Sequence, residues 1–291
     1  MKRSYKVVDV FTDRPLQGNP VAVMLDADGL DTEQMQSIAR WTNLSETTFV
    51  LPPTTSEADY RLRIFTPRSE LPFAGHPTLG SAHAVLDAGR VALRSNGRLI
   101  QECTVGLVDL TIEDRGGDRQ IAFNLPGAQI EEMDAVHISE LETIVGRSVN
   151  AKTAPAIVNV GPRWIIAQMQ DADSVLSLQP DFGKLAEVER RLGVTGLTVF
   201  GAYHDRDAAI EVRTFAPSCG VEEDPVCGSG NASVAAFQWK RGLLPSEGKN
   251  YVASQGCRVG RAGKVHVSVD AHGRVNIGGS CVTCIEGHFE F

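Results

Sequence analysis

The stretch that decides the fold is Arg63-Ile-Phe-Thr-Pro67, followed by Phe73-Ala-Gly-His-Pro77 and a small, apolar run that ends at Gly89. The chain carries this arrangement a second time, as Arg213-Thr-Phe-Ala-Pro217, Val226-Cys-Gly-Ser-Gly230 and a run that ends at Gly242. The second arginine follows the first by 150 positions, and Gly228 follows Gly75 by 153. The repeat predicts a strand, a loop, a glycine corner and a helix in each half of the chain.

Each glycine corner is predicted to lie at a helix N-terminus, where backbone N–H groups have no partner within the helix and attract an anion. Two such corners, at Gly75 and Gly228, would hold one small acid between the two halves. Pro77 suits the first turn of the first helix, and Gly89 suits the position just beyond its end. The small residues between them predict a helix that is packed on several sides.

The order of elements predicts an α+β fold of two pseudo-symmetric halves, each a mainly antiparallel sheet wrapped around a central apolar helix. Strands outnumber helices and do not alternate with them regularly, which disfavours a doubly wound nucleotide fold. We expect an N-terminal half over residues 1–127, joined by a closing strand at 281–291, and a C-terminal half over 128–280. The chain is expected to leave the first half at 124–127.

Local signals fix several element ends. Asp31 and Gln34 stand in the capping-box relation that begins a helix, and Asn43 suits its left-handed end. The second small-residue helix is predicted over 231–241. Short closing strands are predicted at 275–277 and 282–285.

Composition limits the classes of function. The chain has 291 residues, a formal net charge of −8 and 22% charged residues, which disfavours a nucleic-acid surface. No run approaches the ~20 apolar residues of a membrane-spanning helix, and the N-terminus lacks a signal peptide's apolar region. We therefore expect a cytoplasmic protein without a membrane or nucleic-acid partner. The six scattered cysteines do not form a disulfide framework.

Two motifs suggest cofactors or metals only weakly. The stretch Gly228-Ser-Gly-Asn-Ala-Ser233 lacks the third glycine of a dinucleotide fingerprint. Cys281 and Cys284 form a lone C-x-x-C, without the further ligands that zinc requires, so we interpret them as two buried strand cysteines. The sequence predicts no metal site.

Three polar residues near the corners are candidates for chemistry, and each also has a structural explanation. His76 could be a helix N-cap, and Asp224 could belong to a solvated acidic loop. Glu46, the last polar residue before a β-rich run, could simply lie on the surface.

These residues stand in segments that resemble the phenazine-biosynthesis PhzF family. The segments are Gly18-Asn-Pro-Val-Ala-Val23, Asn43-Leu-Ser-Glu-Thr-Thr-Phe-Val50, Ile64-Phe-Thr-Pro67, Glu70-Leu-Pro-Phe-Ala-Gly-His-Pro77 and Glu223-Asp-Pro-Val-Cys-Gly-Ser229. The resemblance spans nearly the whole chain. It implies the diaminopimelate-epimerase-like fold, a homodimer, and isomerisation of trans-2,3-dihydro-3-hydroxyanthranilate without a metal or organic cofactor.

By the same resemblance, Glu46 is the general acid/base in a cleft between the halves. His76, Asp224 and Ser229 are supporting site residues, and Gly75 and Gly228 contribute N–H groups. The chemistry is physically reasonable, because a carboxyl group in an apolar site has a raised pKa and can both take and return a proton near neutrality.

Two other functions stay open at this point. Related racemases of this fold use two cysteines, one before each corner, and here those positions hold Ala74 and Cys227. A one-cysteine epimerase or dehydratase could use Cys227 with Glu46 or Asp224. A catalytically silent protein that binds a small carboxylic acid is the third possibility.

Overall fold

The computed structural model describes residues 2–115, 118–125, 127–204 and 206–290. Internal contacts divide the chain into unit 1, Met1–Phe123 with Gly278–Phe291, and unit 2, Asn124–Ile277. Pro126, in the predicted exit from the first half, lies outside the described residues.

Strands and helices alternate irregularly along the chain, as in a mixed α+β fold. The strands are β1 (Lys2–Val10), β2 (Asn19–Met24), β3 (Thr47–Leu51), β4 (Tyr60–Phe65), β5 (Glu70–Leu71), β6 (Arg98–Cys103), β7 (Gly106–Arg115), β8 (Asp118–Asn124), β9 (Gln129–Glu132), β10 (Ala156–Asn159), β11 (Arg163–Gln168), β12 (Gly196–Ala202), β13 (Ile210–Ala216), β14 (Val221–Asp224), β15 (Lys249–Gln255), β16 (Gly263–Val269) and β17 (Val275–Glu290). The helices are α1 (Thr32–Thr42), α2 (Gly75–Asp87), α3 (Ala135–Val145), α4 (Ala172–Leu176), α5 (Phe182–Leu192) and α6 (Gly228–Lys240).

The sheet of unit 1 returns to its starting strand. β1 pairs with β17 and β2, β2 runs parallel to β3, and β3 pairs with β4. β4 runs parallel to β6, β6 pairs with β7, and β7 pairs with β8. A pairing of β8 with β17 completes the circuit. β5 adds a short edge to β4.

Helix α2 packs on β1 and β2 and is buried over most of its length. All residues from His76 to Val85 except His83 are buried, including the polar side chains of Thr78 and Ser81. Gly80 faces the strands so closely that a Cβ atom there would lie 2.4 Å from Val21 Cγ1. The helix can lie this near the sheet because the contact residue has no side chain.

The sheet of unit 2 shows the same succession of pairings. β10 pairs with β9 and β11, β11 runs parallel to β12, and β12 pairs with β13. β13 runs parallel to β15 and carries the short β14, and β15 pairs with β16. Helix α6 is buried from Gly230 to Gln238, and Gly230 leaves room for the hydroxyls of Thr198 and Thr214.

The remaining helices cover the sheets and help to form the cores. On α1, the residues that face the sheet are Met35, Ile38 and Ala39. In unit 2 the helices α3, α4 and α5 share one core, which includes Leu141, Ile144, Val175, Leu185 and Val188. Within the described ranges, no helix is both long and apolar enough to cross a membrane.

The local signals at helix ends are confirmed. The Asp31 carboxylate accepts a hydrogen bond from the Gln34 N–H, and Gln34 Oε1 accepts one from the Asp31 N–H. Asn43 adopts a left-handed φ of 54°. Gly89 has a φ of 62° just beyond α2.

Two predicted boundaries were wrong. The two short closing strands are one strand, β17, because Gly278 lets it approach Ala122 to a distance that a side chain would block. Helix α6 begins at Gly228, before the predicted 231–241, because Cys227 caps it.

We expect Gly80→Ala to lower the free energy of unfolding by about 1–3 kcal/mol, because its methyl group would overlap Val21 in a packed core. Urea denaturation measures the change. Gly183→Ala in α5 is the matched control, since its Cβ would meet only Asp181 Oδ1 at 3.4 Å, and it should be neutral or stabilising by up to ~1 kcal/mol. Equal destabilisation in both variants would contradict this account of α2.

Candidate active site

Unit 1 brings two of the predicted site residues together. Glu46 immediately precedes β3, and its carbonyl oxygen accepts the Ala22 N–H at 3.4 Å where β2 and β3 begin to pair. His76 lies in the first turn of α2 and is buried. Glu46 Oε2 lies 3.4 Å from His76 Nε2, near enough for an ion pair but not aligned as a hydrogen bond.

The Glu46 carboxyl group is in an environment that favours its neutral form. Its side chain is only 16% exposed, and Oε2 is fully enclosed without a hydrogen bond in the described part of the chain. Burial raises the pKa of Glu46 to about 7, against the opposing effect of a hydrogen bond from Ser45. The group therefore changes charge near neutral pH, and the idea that Glu46 is a surface residue is wrong.

At the first corner, His76 is not the N-cap of α2. The N-cap of α2 is Ala74, which has no polar side chain, and His76 stands two residues further on. Gly75 is the first helical residue, so its N–H has no acceptor within the helix. His76 is thus a buried side chain beside the helix start and not its cap.

In unit 2, Cys227 is the N-cap of α6. Its sulfur accepts a hydrogen bond from the Gly230 N–H at 3.3 Å. Burial, and then the negative charge of Asp224, raise the pKa of the Cys227 thiol well above its usual range. A thiol with such a pKa stays protonated at neutral pH and is a poor base.

Asp224 is the last residue of β14 and lies just before this corner. Its carboxylate accepts the Val226 N–H at 3.1 Å, which turns the chain toward Cys227. The side chain is half-buried, so the interpretation as a solvated loop residue was wrong. Ser229 lies in the first turn of α6, between Gly228 and Gly230, and is more exposed than either glycine.

Gln255 on β15 holds the second corner, and the sequence did not single it out. Its Oε1 accepts the Cys227 N–H at 3.1 Å and the Asn231 Nδ2 at 2.8 Å. Its Nε2 donates to the Asp224 carbonyl oxygen at 3.0 Å. One fully buried side chain thus fixes the corner from Asp224 to Asn231. The sequence offered one signal for Gln255, which is its position 154 residues after Gln101, close to the spacing of the repeat. Gln101 donates a hydrogen bond to Thr78 in α2.

A bidentate arginine–glutamate pair, here called a fork, joins the two segments that precede each corner. Arg213 binds both carboxylate oxygens of Glu223, at 2.9 and 2.7 Å, and this pair is almost fully buried. Arg213 also donates to the carbonyl oxygens of Val175 and Leu178, which ties β13 to α4. In unit 1, Arg63 and Glu70 form the same fork at 2.7 Å for each bond. Bidentate pairs of this kind fix orientation as well as charge.

The described residues contain no group of three or more histidine, cysteine or acidic side chains placed to hold a metal ion. Cys281 and Cys284 lie on β17 as half-buried cysteines. The interpretation of this pair as strand residues is confirmed, but neither cysteine is fully buried.

Comparison with known proteins agrees with this architecture. Residues 8–287 match the family model described as phenazine biosynthesis-like protein. The chain is 43% identical to antisense-enhancing sequence 1 of Schizosaccharomyces pombe, over 98% of each chain. It is 34% identical to trans-2,3-dihydro-3-hydroxyanthranilate isomerase of Pseudomonas aeruginosa, over 97% of this chain and 98% of that one.

Solved structures show the same fold. A PhzF-family phenazine biosynthesis protein of Bacillus anthracis superposes with a TM-score of 0.88, at 24% identity and with all of both chains covered. The fold and the isomerase names of several relatives define the class of the protein, which is an isomerase. The chain belongs to the PhzC-PhzF family of phenazine biosynthesis-like proteins.

The buried Glu46 carboxyl group should make the stability of the protein depend on pH. An unfolded glutamate loses its proton near pH 4.3, whereas the native state keeps it to about pH 7. The native state thus binds more protons in this interval, and the free energy of unfolding falls as pH rises. Glu46→Gln removes this contribution. We expect the variant to gain about 2 kcal/mol over the wild type between pH 5 and pH 8.

Urea denaturation of both proteins at the two pH values measures this difference. Glu187→Gln, at an exposed carboxyl group, is the control for the loss of one acidic side chain. A Glu46→Gln variant whose stability changes with pH in parallel to the wild type would show that Glu46 ionises normally.

Cys227 should resist alkylation, because it is buried and its pKa is raised well above the usual range. Cys219 and Cys257 are exposed and serve as internal controls. We expect iodoacetamide at pH 7.5 to label these two thiols at least ~10-fold faster than Cys227, as followed by peptide mass spectrometry. Labelling of Cys227 first would identify it as a reactive thiol.

Proposed function

We propose that this isomerase moves a proton between carbon atoms of a small, cyclic carboxylic acid, with Glu46 as the general acid/base. The observation that carries the proposal is the enclosed Glu46 carboxyl group, with a pKa of about 7, at 3.4 Å from His76. The P. aeruginosa relative is named for trans-2,3-dihydro-3-hydroxyanthranilate, which makes this acid the first substrate to try.

The proton transfer needs one group in two charge states. Ionised Glu46 takes a proton from one carbon, and the electron pair of the broken C–H bond moves into the conjugated system of the substrate. The protonated Glu46 then returns the proton to another carbon, so the reaction consumes nothing. A pKa close to the working pH is best for this double role, because both charge states are accessible.

His76 stands where it can assist this exchange. Its Nε2 lies on the enclosed side of the Glu46 carboxyl group, at ion-pair distance. In the proposal it orients the carboxylate and offsets its charge while the proton is on the substrate. Asp224 shapes the second corner through its bond to the Val226 N–H and raises the pKa of Cys227.

The substrate carboxylate is proposed to bind at the helix starts. The N–H groups of Gly75 and Gly228 and the Ser229 hydroxyl are the donors, and helix N-termini favour an anion. The two units show the same succession of strand pairings, and we propose that they are copies of one ancestral half.

The structure favours this function over a one-cysteine epimerase. A thiol that abstracts a proton must reach the thiolate state, and the pKa of Cys227 is raised well above its usual range. Its sulfur also caps α6 through the Gly230 N–H. Ala74, at the corresponding position before α2, has no thiol.

The direct test is incubation of trans-2,3-dihydro-3-hydroxyanthranilate in deuterated buffer with the wild type and with Glu46→Gln. We expect the wild type to form the isomer and to incorporate solvent deuterium, and the variant to be slower by about 10²–10⁴-fold, since it lacks the base. The wild-type kcat/KM should rise with pH up to about 7 as Glu46 ionises. Mass spectrometry and NMR follow the label.

Glu189→Gln is the matched control, because Glu189 is a buried carboxyl group that bonds the Ser218 N–H and lies outside the proposed site. It should retain wild-type turnover. Equal rates of isomerisation and label uptake in wild type and Glu46→Gln would exclude Glu46 as the base. Tight binding of the acid without exchange at any carbon would indicate a binding protein instead.

A further inference from the structure

Trp164 on β11 makes a directed contact with the start of α6. Its indole Nε1 lies 3.1 Å from Ser229 Oγ. The ring is 4% exposed and packs against Gly196, where a Cβ atom would lie 2.7 Å from Trp164 Cζ3. A buried, close-packed ring of this kind has little freedom to turn away from its partner.

The direction of this hydrogen bond is fixed by chemistry. An indole nitrogen is a donor and has no lone pair to accept a bond. Ser229 Oγ is therefore the acceptor. A serine hydroxyl both accepts and donates, so the Ser229 proton must point away from Trp164.

In the described part of the chain, Cys227 Sγ lies 3.6 Å from Ser229 Oγ and is a candidate acceptor for that proton. Sulfur is a weak acceptor, and this sulfur already receives the Gly230 N–H. Ser229 is also the most exposed residue of the first turn of α6. An oxygen atom of a bound anion is a better acceptor, and the helix N-terminus attracts it to this position.

We infer that Trp164 is a positioning residue for substrate recognition: by donating to Ser229, it presents the serine hydroxyl as a hydrogen-bond donor to the substrate carboxylate. The inference rests on the proposed function, and it adds the residue that sets the polarity of the site. A site arranged in this way prefers an ionised carboxylate over a ligand that lacks an acceptor oxygen at this point.

The ligand pair 3-hydroxyanthranilate and 2-aminophenol tests the inference, since they differ only by the carboxylate. Calorimetry compares the wild type with Trp164→Phe, which keeps an aromatic ring but loses the donor. We expect the variant to bind 3-hydroxyanthranilate about 5–10-fold more weakly, the value of one hydrogen bond, and 2-aminophenol with unchanged affinity. A ring that served only for packing would affect both ligands alike.

A double-mutant cycle separates action through Ser229 from other effects. Ser229→Ala should weaken 3-hydroxyanthranilate binding, and the further change Trp164→Phe should then cost nothing more. Trp41→Phe, at a side chain that is 76% exposed, is the matched control and should bind like the wild type. Independent, multiplicative losses in the double variant, or wild-type affinity in Trp164→Phe, would overturn the inference.

A second measurement does not depend on the folding of Trp164→Phe. In NMR spectra of the ¹⁵N-labelled proteins, the indole N–H signal of Trp164 should lie further upfield in Ser229→Ala than in the wild type, because the variant has lost the hydrogen bond. An unchanged signal would overturn the inference.

The outcomes also distinguish the inference from the proposed function. Deuterium exchange by the wild type, together with unaltered ligand selectivity in Trp164→Phe, would refute the inference alone. A wild type that neither binds these ligands nor exchanges protons would refute the proposed function, and the inference with it.

Discussion

The close approach of a small-residue helix to its sheet is the constraint on which the rest of the structure depends. Gly80 lets α2 lie against Val21, and Gly230 lets α6 lie against Thr198 and Thr214. With larger residues at these positions each helix would move outward, and its N-terminus with it. The positions of both corners therefore follow from the absence of two side chains deep in the packing.

Burial of the corners changes the chemistry of the side chains beside them. Poor solvation raises the pKa of both Glu46 and Cys227, but the consequences differ. The carboxyl pKa moves up to about 7, so both charge states of the group are accessible near neutral pH. The thiol pKa moves away from that range, and its sulfur is used as a helix cap. Desolvation of the same kind thus brings the carboxyl pKa close to neutrality and moves the thiol pKa away from it.

The two corners share a framework and differ in their polar groups. Both are approached through an arginine–glutamate fork, and in both a buried glutamine, Gln101 or Gln255, bonds a polar residue of the central helix. The first corner is capped by Ala74 and carries His76. The second is capped by Cys227 and carries Ser229, whose oxygen accepts a bond from Trp164. The shared framework fixes the positions of the two corners, and these few residues give the corners different polar groups.

The sequence by itself determined the features that depend on near neighbours. The capping of α1 by Asp31 and Gln34, its end at Asn43, and the turn at Gly89 were predictable, because a few adjacent residues supply all the interactions. The identity of Glu46, His76, Asp224 and Ser229 as candidates came from short motifs and a family resemblance. Those motifs did not predict the value of the Glu46 pKa or the protonation state of Cys227.

Only the tertiary structure decided the features that join distant segments. Gln255 reaches the corner from 28 residues beyond Cys227, and Trp164 reaches Ser229 from 65 residues before it. Strand β17 continues through Gly278 because that glycine meets Ala122, a residue far back along the chain. A pKa near 7 for Glu46 likewise requires the enclosure that other segments provide. Hydrogen-bond partners and desolvation are properties of the packed chain, and no local pattern of residues encodes them.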